Sequence, residues 1–394
     1  MSTRGWLPAM AVLLLASTLV LADNRQVNCD HGESLATALE QAQPGETIQV
    51  SGTCQEAVTI ITDRITLDGR GSATIDGRGA EAVTADGVRG VTLTGLTVRQ
   101  GLNGIVAKGG AHLKLTSVTM QNNLVSGIRV DGHSSVELRD CTTQNNGVNG
   151  LEVDRASEVK ITGTFLSQGN GVFGISLLNT SSIVFATATV TSTNNTLGIA
   201  VGLNSGASIA DAATTVTTSD NLTTGFTVVS GSSLLVFEGA IVARNNRLNH
   251  GVSANSKSSI DLDRGGSITA THNGLDGVQV EDSLLNLFNM PGQRGSTVVA
   301  TDNQRHGLST FVGGKVDLSV DSQITSQRNS QAGLFADNGG SVRVSKSTLT
   351  SNGTTDVALS FGTRAEFTQN TLGTITCDAT VLIRGDTGTV CPAP

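Results

Sequence analysis

Three neighbouring repeats place acid–base side chains at the same position, directly before the glycine of a recurring Asn…Gly segment. These side chains are His250, Asp276 and His306, and His272, Arg247 and Arg305 lie close to them in the sequence. If successive repeats stack about 5 Å apart, the first three form one row. Two imidazoles around a carboxylate can act as general acid and base, or bind a metal ion through nitrogen and oxygen ligands. The alternative is that they are polar corner residues without a function.

A second group of charged residues follows the same glycine in earlier repeats. Arg129 and Glu152 fall in one column of the predicted stack, and Lys108, Asp131 and Asp154 fall in the next. Paired carboxylates beside an arginine could hold Ca²⁺ or bind the acid group of a glycan. The alternative is a solvated ladder of cross-strand ion pairs, each stabilising the fold by less than about 1 kcal/mol.

Both groups of charged residues belong to an internal repeat, and this repeat determines their positions. Its core is Asn, usually three residues, Gly and then apolar-x-apolar, and the spacing between copies is 23–30 residues. The glycines of the copies are Gly104, Gly127, Gly150, Gly174, Gly198, Gly225, Gly251, Gly277, Gly307 and Gly333. A period in this range indicates a solenoid.

Each repeat carries up to three short apolar-x-apolar strands and few helix formers, so the fold class is all-β. The variable repeat length favours a right-handed parallel β-helix of about a dozen coils over a left-handed β-helix or a leucine-rich repeat. The recurring asparagine is expected to hydrogen-bond backbone groups at the corners, and the glycine is expected to supply a backbone angle that side chains resist.

The two ends of the rod are predicted to carry capping features that its middle lacks. Residues 31–45 contain the one convincing helix, because four apolar residues form a single stripe that can cover the first coil. Cysteines bracket both ends, and in an oxidising compartment they predict the disulfides Cys29–Cys54 and Cys377–Cys391. Cys141 takes a core position of its repeat, which predicts a buried and unreactive thiol.

The opening of the chain resembles a known superfamily. The motifs are Ser34-Leu35, the run from Ala42 to Val50, and Gly52-Thr53-Cys54. They are similar to the N-terminal cap and first coils of the pectate-lyase-like β-helix superfamily. This resemblance implies the fold but not the chemistry, because the superfamily includes polysaccharide lyases, hydrolases, epimerases and inactive surface proteins. The Asp-Pro-His-Asp motif of alginate epimerases is absent, as are the polygalacturonase motifs and the Arg-x-Pro-x-x-Arg stretch of pectate lyases.

The predicted organisation has four parts. Residues 1–22 resemble a secretory signal, 23–54 form a cap with helix and disulfide, 55–376 form the β-helix, and 377–394 form a disulfide-tied tail. The protein is therefore expected to be secreted, periplasmic or at the cell surface, without a transmembrane span in the mature chain. The formal net charge of −8 argues against a nucleic-acid partner. No oligomeric state follows from the sequence.

Three functions are compatible with these observations. The leading hypothesis is an exported scaffold that binds a polysaccharide, a cell-surface glycan or another surface partner along one face, without catalysis. The first alternative is a polysaccharide lyase or epimerase that acts on an acidic glycan through His250, Asp276 and His306, or through Arg129 with Glu152 and Asp154. The second is a structural or adhesive rod. The chain has no Tyr, and its single Trp, Trp6, lies in the predicted signal, so only Phe can offer rings for sugar stacking.

Overall fold

The computed structural model describes residues 24–290, 292–318 and 321–385. In this part the chain is an all-β parallel solenoid of about 14 turns, slightly more than the dozen expected. The predicted fold class is confirmed. The predicted signal, residues 1–22, lies outside the described residues, as does Cys391.

Two parallel sheets make up the described solenoid, and one of them, with 14 strands, takes one strand from each turn. The strands of this 14-stranded sheet are Val58–Ile60, Val83–Asp86, Ile105–Lys108, Ser126–Val130, Asn149–Val153, Phe173–Leu177, Leu197–Val201, Phe226–Val228, Val252–Asn255, Val278–Glu281, Leu308–Phe311, Ala332–Ala336, Thr355–Leu359 and Ile375–Cys377.

The other sheet, with 25 described strands, bends around the rest of each turn. Its strands are Asn24–Asn28, Thr47–Ser51, Thr53–Cys54, Thr66–Asp76, Val91–Arg99, His112–Thr116, Thr119–Gln121, Ser135–Gln144, Glu158–Gln168, Ser182–Thr193, Gly206–Ile209, Thr215–Ser219, Ser233–Phe237, Ala240–Arg244, Ser259–Asp263, Ser267–Thr271, Leu284–Phe288, Thr297–Thr301, Lys315–Leu318, Gln323–Gln327, Ser341–Ser345, Thr348–Leu349, Arg364–Thr368, Thr371–Leu372 and Leu382–Gly385.

Aliphatic side chains stack through the inside of the coil. Ile105, Ile128, Leu151 and Ile175 pair in register from one strand to the next, and all four are fully buried. Each strand thus buries its apolar residues against the same residues of its neighbours, as a solenoid requires.

The N-terminal helix lies inside the stretch 31–45 that was predicted to contain it. It covers Leu35–Glu40, while Cys29–His31 forms a 3-10 turn that ends at Gly32 with φ of 83°. The left-handed backbone at this glycine prevents one continuous helix. Ser34 caps the helix by accepting a hydrogen bond from the backbone N–H of Thr37 at 3.1 Å.

The structure contains the predicted disulfide between Cys29 and Cys54, which ties the cap to the first turns. Cys377 is also disulfide-bonded, and its predicted partner lies outside the described residues. Cys141 is a buried free thiol whose Sγ lies 3.3 Å from the carbonyl oxygen of Arg139. Burial raises the pKa of this thiol to about 11, so it is a weak nucleophile at neutral pH, as the sequence predicts.

The recurring asparagines form a continuous side-chain ladder through the rod. The Nδ2 of each donates to the Oδ1 of the next at 2.9–3.3 Å. The members are Asn123, Asn146, Asn170, Asn195, Asn221, Asn246, Asn273, Asn303, Asn329 and Asn352. The ladder ends where Asn352 donates to the carboxylate of Asp356 at 3.0 Å. Asp356 stands where the repeat predicts the corner glycine, and its side chain terminates the row.

The predicted reason for the corner glycines was wrong. These glycines do not have positive φ; the left-handed residue is the one before the ladder asparagine, such as Asn122 or Asn145, both with φ of 54°. A Cβ built on Gly127 would lie 2.8 Å from the carbonyl oxygen of Gly150 and 2.9 Å from Nδ2 of Asn146. Glycine is therefore needed because the ladder and the next turn approach the backbone closely.

A second ladder, of serines, went unrecognised in the sequence. The backbone N–H of each donor serine bonds the Oγ of the serine one turn later at 3.0–3.3 Å. The serines form two runs, which are Ser134, Ser157, Ser181, Ser205 and Ser232, and then Ser258 and Ser283. Both ladders satisfy backbone groups at corners that water does not reach.

Candidate functional site

Both groups of candidate residues lie on the outer face of the 14-stranded sheet or directly next to the ends of its strands. Backbone hydrogen bonds from Gly251 to Asp276 and from Gly277 to His306 place His250, Asp276 and His306 on three successive turns. The structure therefore brings the three together, and we call them the His–Asp row. Of the residues nearby in the sequence, Arg305 joins the row, whereas His272 and Arg247 line a separate polar cavity.

Asp276 is the centre of the row, and its side chain is fully buried. Arg305 forms a two-pronged ion pair with it, in which Nε lies 2.7 Å from Oδ1 and Nη2 contacts Oδ2. The backbone N–H of His306 donates to Oδ1 at 3.0 Å and the hydroxyl of Ser309 donates to Oδ2 at 2.7 Å. Nδ1 of His250 lies 3.4 Å from Oδ2.

These contacts keep Asp276 charged. Burial by itself raises the pKa of this carboxyl, but the hydrogen bonds from Arg305 and the adjacent His250 ring outweigh burial and hold the pKa far below its usual range. Both oxygens are already occupied by donors. Asp276 is therefore a fixed anion that orders its neighbours, and it has neither the free lone pairs nor the basicity of a general base.

His306 lies with its ring parallel to Phe335, with centroids 4.5 Å apart and an angle of 5° between the planes. Its Nδ1 accepts a hydrogen bond from the backbone N–H of Ala332 at 3.2 Å. Burial lowers the pKa of His306 to about 4, so the ring is neutral at pH 7 and carries its proton on Nε2. The hydrogen bonds of the row do not occupy this nitrogen.

The composition Ser, His and Asp does not amount to a nucleophilic triad here. Such a triad needs the serine hydroxyl bonded to the imidazole, whereas Ser309 donates directly to the carboxylate of Asp276. A metal site is not formed either: in the described ranges, the one close cluster of metal-ligating groups is Cys29, Cys54 and Glu56. Two of those three are joined in the disulfide and cannot act as thiolate ligands.

The charged residues of the earlier turns also come together. Arg129 pairs with Glu152 in register, and its guanidinium lies 3.2 Å from Asp131 and 3.8 Å from Glu152. Arg155, which sequence reasoning missed, lies 2.9 Å from Asp131 and 3.9 Å from Asp154. We call Arg129, Asp131, Glu152, Asp154 and Arg155 the charged cluster.

Lys108 does not join the charged cluster, because its ammonium lies 3.5 Å from Asp86, its neighbour in the sheet. Two guanidinium groups face the carboxylates of the cluster, and this arrangement is unfavourable for the Ca²⁺ site considered from the sequence. The cluster instead offers alternating donors and acceptors, with Arg155 exposed and the carboxylates largely shielded.

Aromatic rings lie on the same face near the C-terminal end of the His–Asp row. Phe311 and Phe335 are half-buried, with ring centroids 5.4 Å apart, and Arg305 lies over the Phe311 ring at 5.8 Å. We call His306, Phe311 and Phe335 the ring cluster. Sequence reasoning missed it, although Phe335 falls two positions after Gly333, as Arg129 falls two after Gly127.

The burial of His306 predicts a pH dependence of stability. An unfolded histidine has a pKa near 6.5, whereas that of folded His306 is about 4. The unfolded state binds the proton first, so the free energy of unfolding is expected to fall between about pH 6.5 and pH 4. Urea unfolding across this window should show a weaker decline in His306→Gln and an unchanged one in His112→Gln, whose side chain is exposed. Equal declines in all three proteins would contradict the assignment.

No helix in the described ranges is long and apolar enough to cross a membrane.

Comparison with known proteins supports the architecture. A family model described as "Right handed beta helix region" matches residues 103–275. Similar solved structures include the A-module of mannuronan C-5 epimerase AlgE6 from Azotobacter vinelandii, at 13% identity and a TM-score of 0.47, covering 91% of this chain and 99% of that one. An alginate lyase from Paenibacillus sp. str. FPU-7 has 12% identity and a TM-score of 0.45, covering 75% and 98%. A double mutant of the periplasmic alginate epimerase AlgG has 13% identity and a TM-score of 0.45, covering 91% and 82%.

No curated protein matches the chain significantly. Likeness at these TM-scores carries no conclusion about activity. The repeat, the two parallel sheets and the family-model match over residues 103–275 identify the fold as a right-handed parallel β-helix.

Proposed function

We propose that the protein is an exported scaffold that binds glycans along the outer face of the 14-stranded sheet. The observation that carries this proposal is the ring cluster, in which the parallel rings of His306 and Phe335 and the tilted ring of Phe311 lie on an open sheet face. The apolar C–H faces of sugars pack on such rings. In a chain without tyrosine, this concentration of rings on one face is best explained by a ligand.

Hydrogen-bonding groups surround the ring cluster at the spacing of the strands. Ser309 pairs with Gln279 on one side and with Phe335 on the other, and Phe311 pairs with Glu281. Gln279 and Glu281 are half-buried, with their side chains 3.3 Å apart. Planar amide, carboxylate and guanidinium groups beside a ring are the combination that fixes the orientation of sugar hydroxyls.

A path of small residues joins the ring cluster to the charged cluster. Between Glu152 and Gln279 the central column of the face contains only side chains of Ser, Ala or Thr, all of them buried. These residues are Ser176, Ala200, Thr227 and Ser253. Five strand steps separate the two ends, or about 24 Å. A linear ligand lying along this low column would contact both clusters.

Export is part of the proposal, because the disulfide between Cys29 and Cys54 is of the kind that persists in oxidising compartments. The fixed state of Asp276 supports binding over catalysis, since the central group of the row has no free lone pair for proton transfer.

The test compares Phe335→Ala with Phe288→Ala against a panel of neutral and acidic oligosaccharides, by isothermal titration calorimetry. Phe288 is 44% exposed on the 25-stranded sheet and serves as the matched control. We expect Phe335→Ala to weaken binding about tenfold, which corresponds to ~1.4 kcal/mol. The control should bind like the unaltered protein. Equal affinity in both variants, or no binding of any glycan, would overturn the proposal.

A polysaccharide lyase or epimerase is the second candidate, and the neutral imidazole of His306 is the observation that favours it. Its Nε2 could exchange a proton with a substrate bound at the ring cluster. The assay follows unsaturated products by ultraviolet absorbance, and epimerised products by NMR, with and without Ca²⁺. Turnover that disappears in His306→Ala would favour this candidate. A protein that neither binds nor turns over any glycan would fit the structural rod.

A further inference from the structure

A cleft lined mainly by charged side chains lies on the other sheet, near the C-terminal end. It has a volume of about 560 Å³ on the outer face of the 25-stranded sheet. Six charged side chains line it: Lys315, Asp317, Arg343, Arg364, Glu366 and Arg384. We call it the basic cleft, because four of these six are cations in a chain of net charge −8.

The register of the strands explains why a cleft opens here. Ser341 pairs with Lys315 on one side and with Arg364 on the other, so a short side chain lies between two long cationic ones. Two strand steps separate Lys315 from Arg364, or about 9.6 Å at the backbone. A parallel column, with Glu366 between Arg343 and Arg384, forms the second wall.

Two arginines of the basic cleft take no part in the ion pairs inside it. Asp317 lies 2.8 Å from Lys315 and 3.7 Å from Arg343, and Glu366 lies 3.3 Å from Arg343. Neither Arg364 nor Arg384 has a carboxylate within ion-pair distance among the described residues. Among the described residues, the cleft therefore has an excess of positive charge that no carboxylate neutralises.

We propose that the basic cleft binds an oxyanion group, carboxylate or sulfate, of an acidic glycan. Guanidinium groups bind such planar or tetrahedral oxyanions through paired N–H donors, and the hydroxyl of Ser341, between Lys315 and Arg364 in the first column, can donate a further hydrogen bond. Leu382 is 49% exposed beside Arg384 and offers apolar surface to the sugar ring that carries the charge. The inference that a glycan carries the oxyanion rests on the proposed function. The inference that the cleft binds an oxyanion rests on the residues of the cleft alone.

This site differs from the ring cluster in what it selects. The ring cluster recognises sugar faces and would accept neutral residues, whereas the basic cleft requires negative charge. Because the two sites lie on different sheets, their ligands can be separated by variants that affect one sheet only.

The experiment titrates four probes by calorimetry: an oligogalacturonate, the same oligomer after carboxyl reduction, a sulfated oligosaccharide, and inorganic sulfate. The proteins are the unaltered chain, Arg364→Gln/Arg384→Gln, and Arg64→Gln/Arg89→Gln. The last variant removes the same charge from exposed arginines near the N-terminal end that have no side-chain partner among the described residues, and so controls for net charge.

The expected result is binding of at least one acidic oligomer that weakens about tenfold or more in Arg364→Gln/Arg384→Gln and remains in Arg64→Gln/Arg89→Gln. This binding should also weaken steeply with added salt. The two acidic oligomers distinguish carboxylate from sulfate, and inorganic sulfate reports the cleft without any glycan. Equal affinity in both double variants, equal affinity for the reduced oligomer, or no binding of any anion would overturn the proposal. Phe335→Ala should keep this binding, so the two proposals fail separately.

Discussion

Replacing Asp276 by alanine is expected to lower the free energy of unfolding by about 3–5 kcal/mol. The change removes the acceptor for Arg305, His306 and Ser309, and leaves a partly buried guanidinium without its counter-ion. Removing one partner of a buried ion pair lowers the stability by more than the pair itself contributes, because the remaining charge is buried without compensation. Urea unfolding followed by circular dichroism measures the loss, and Asp276→Asn provides a milder variant if the alanine protein does not fold.

The matched control is Asp302→Ala. Asp302 also pairs with an arginine through both oxygens, since Nε and Nη2 of Arg328 each lie 2.8 Å away, but this pair is exposed. An exposed pair contributes less than about 1 kcal/mol. Equal losses in the two variants would show that Asp276 is not the centre of the network. Unchanged stability of the Asp276 variant together with lost turnover would make it a catalytic residue instead.

Replacing Asn246 by alanine is expected to cost about 3 kcal/mol. Asn246 is fully buried in the middle of the asparagine ladder and donates to Oδ1 of Asn273 at 2.9 Å and to the carbonyl of Thr218 at 3.2 Å. Its own Oδ1 accepts from Nδ2 of Asn221 at 3.0 Å. Alanine breaks the ladder on both sides and leaves buried donors and acceptors without partners, and this desolvation accounts for most of the loss.

Thermal and urea unfolding of Asn246→Ala should be compared with Asn286→Ala. Asn286 makes a single side-chain bond, to Asp261 at 3.3 Å, on the outer face of the 25-stranded sheet. The control should lose less than about 1 kcal/mol. If Asn246→Ala is as stable as the control, the ladder is a by-product of the repeat and does not hold the turns together.

The stacking of the turns could be predicted because the repeat period and the apolar pattern both depend on local sequence. Ile128 and Leu151 occupy the same place in consecutive repeats, and a period of two fixes which side of the strand they take. Counting from the corner glycine also placed Arg129 beside Glu152 and aligned His250, Asp276 and His306. The roles of the corner residues could not be predicted, because Gly127 is required by atoms of the next turn, which are one repeat away in the sequence.

The partners of the charged groups could not be predicted, because they depend on the reach of flexible side chains across turns. Asp131, for example, contacts Arg155 from the following turn. Arg305 lies near the row in sequence, yet its ion pair with Asp276 follows only from the fold. Phe335 escaped notice because an isolated phenylalanine in a strand is ordinarily a core residue, and its exposure depends on the face that the turn presents.

The most direct test of glycan binding on the 14-stranded sheet is a crystal structure of the protein soaked with an oligosaccharide that binds in solution. The account predicts a sugar ring packed on Phe335, with the chain running along the column of small residues towards Arg129 and Glu152. The account would be contradicted if sugar bound only away from this sheet. It would also be contradicted if the face stayed empty in the crystal although the protein binds the ligand in solution.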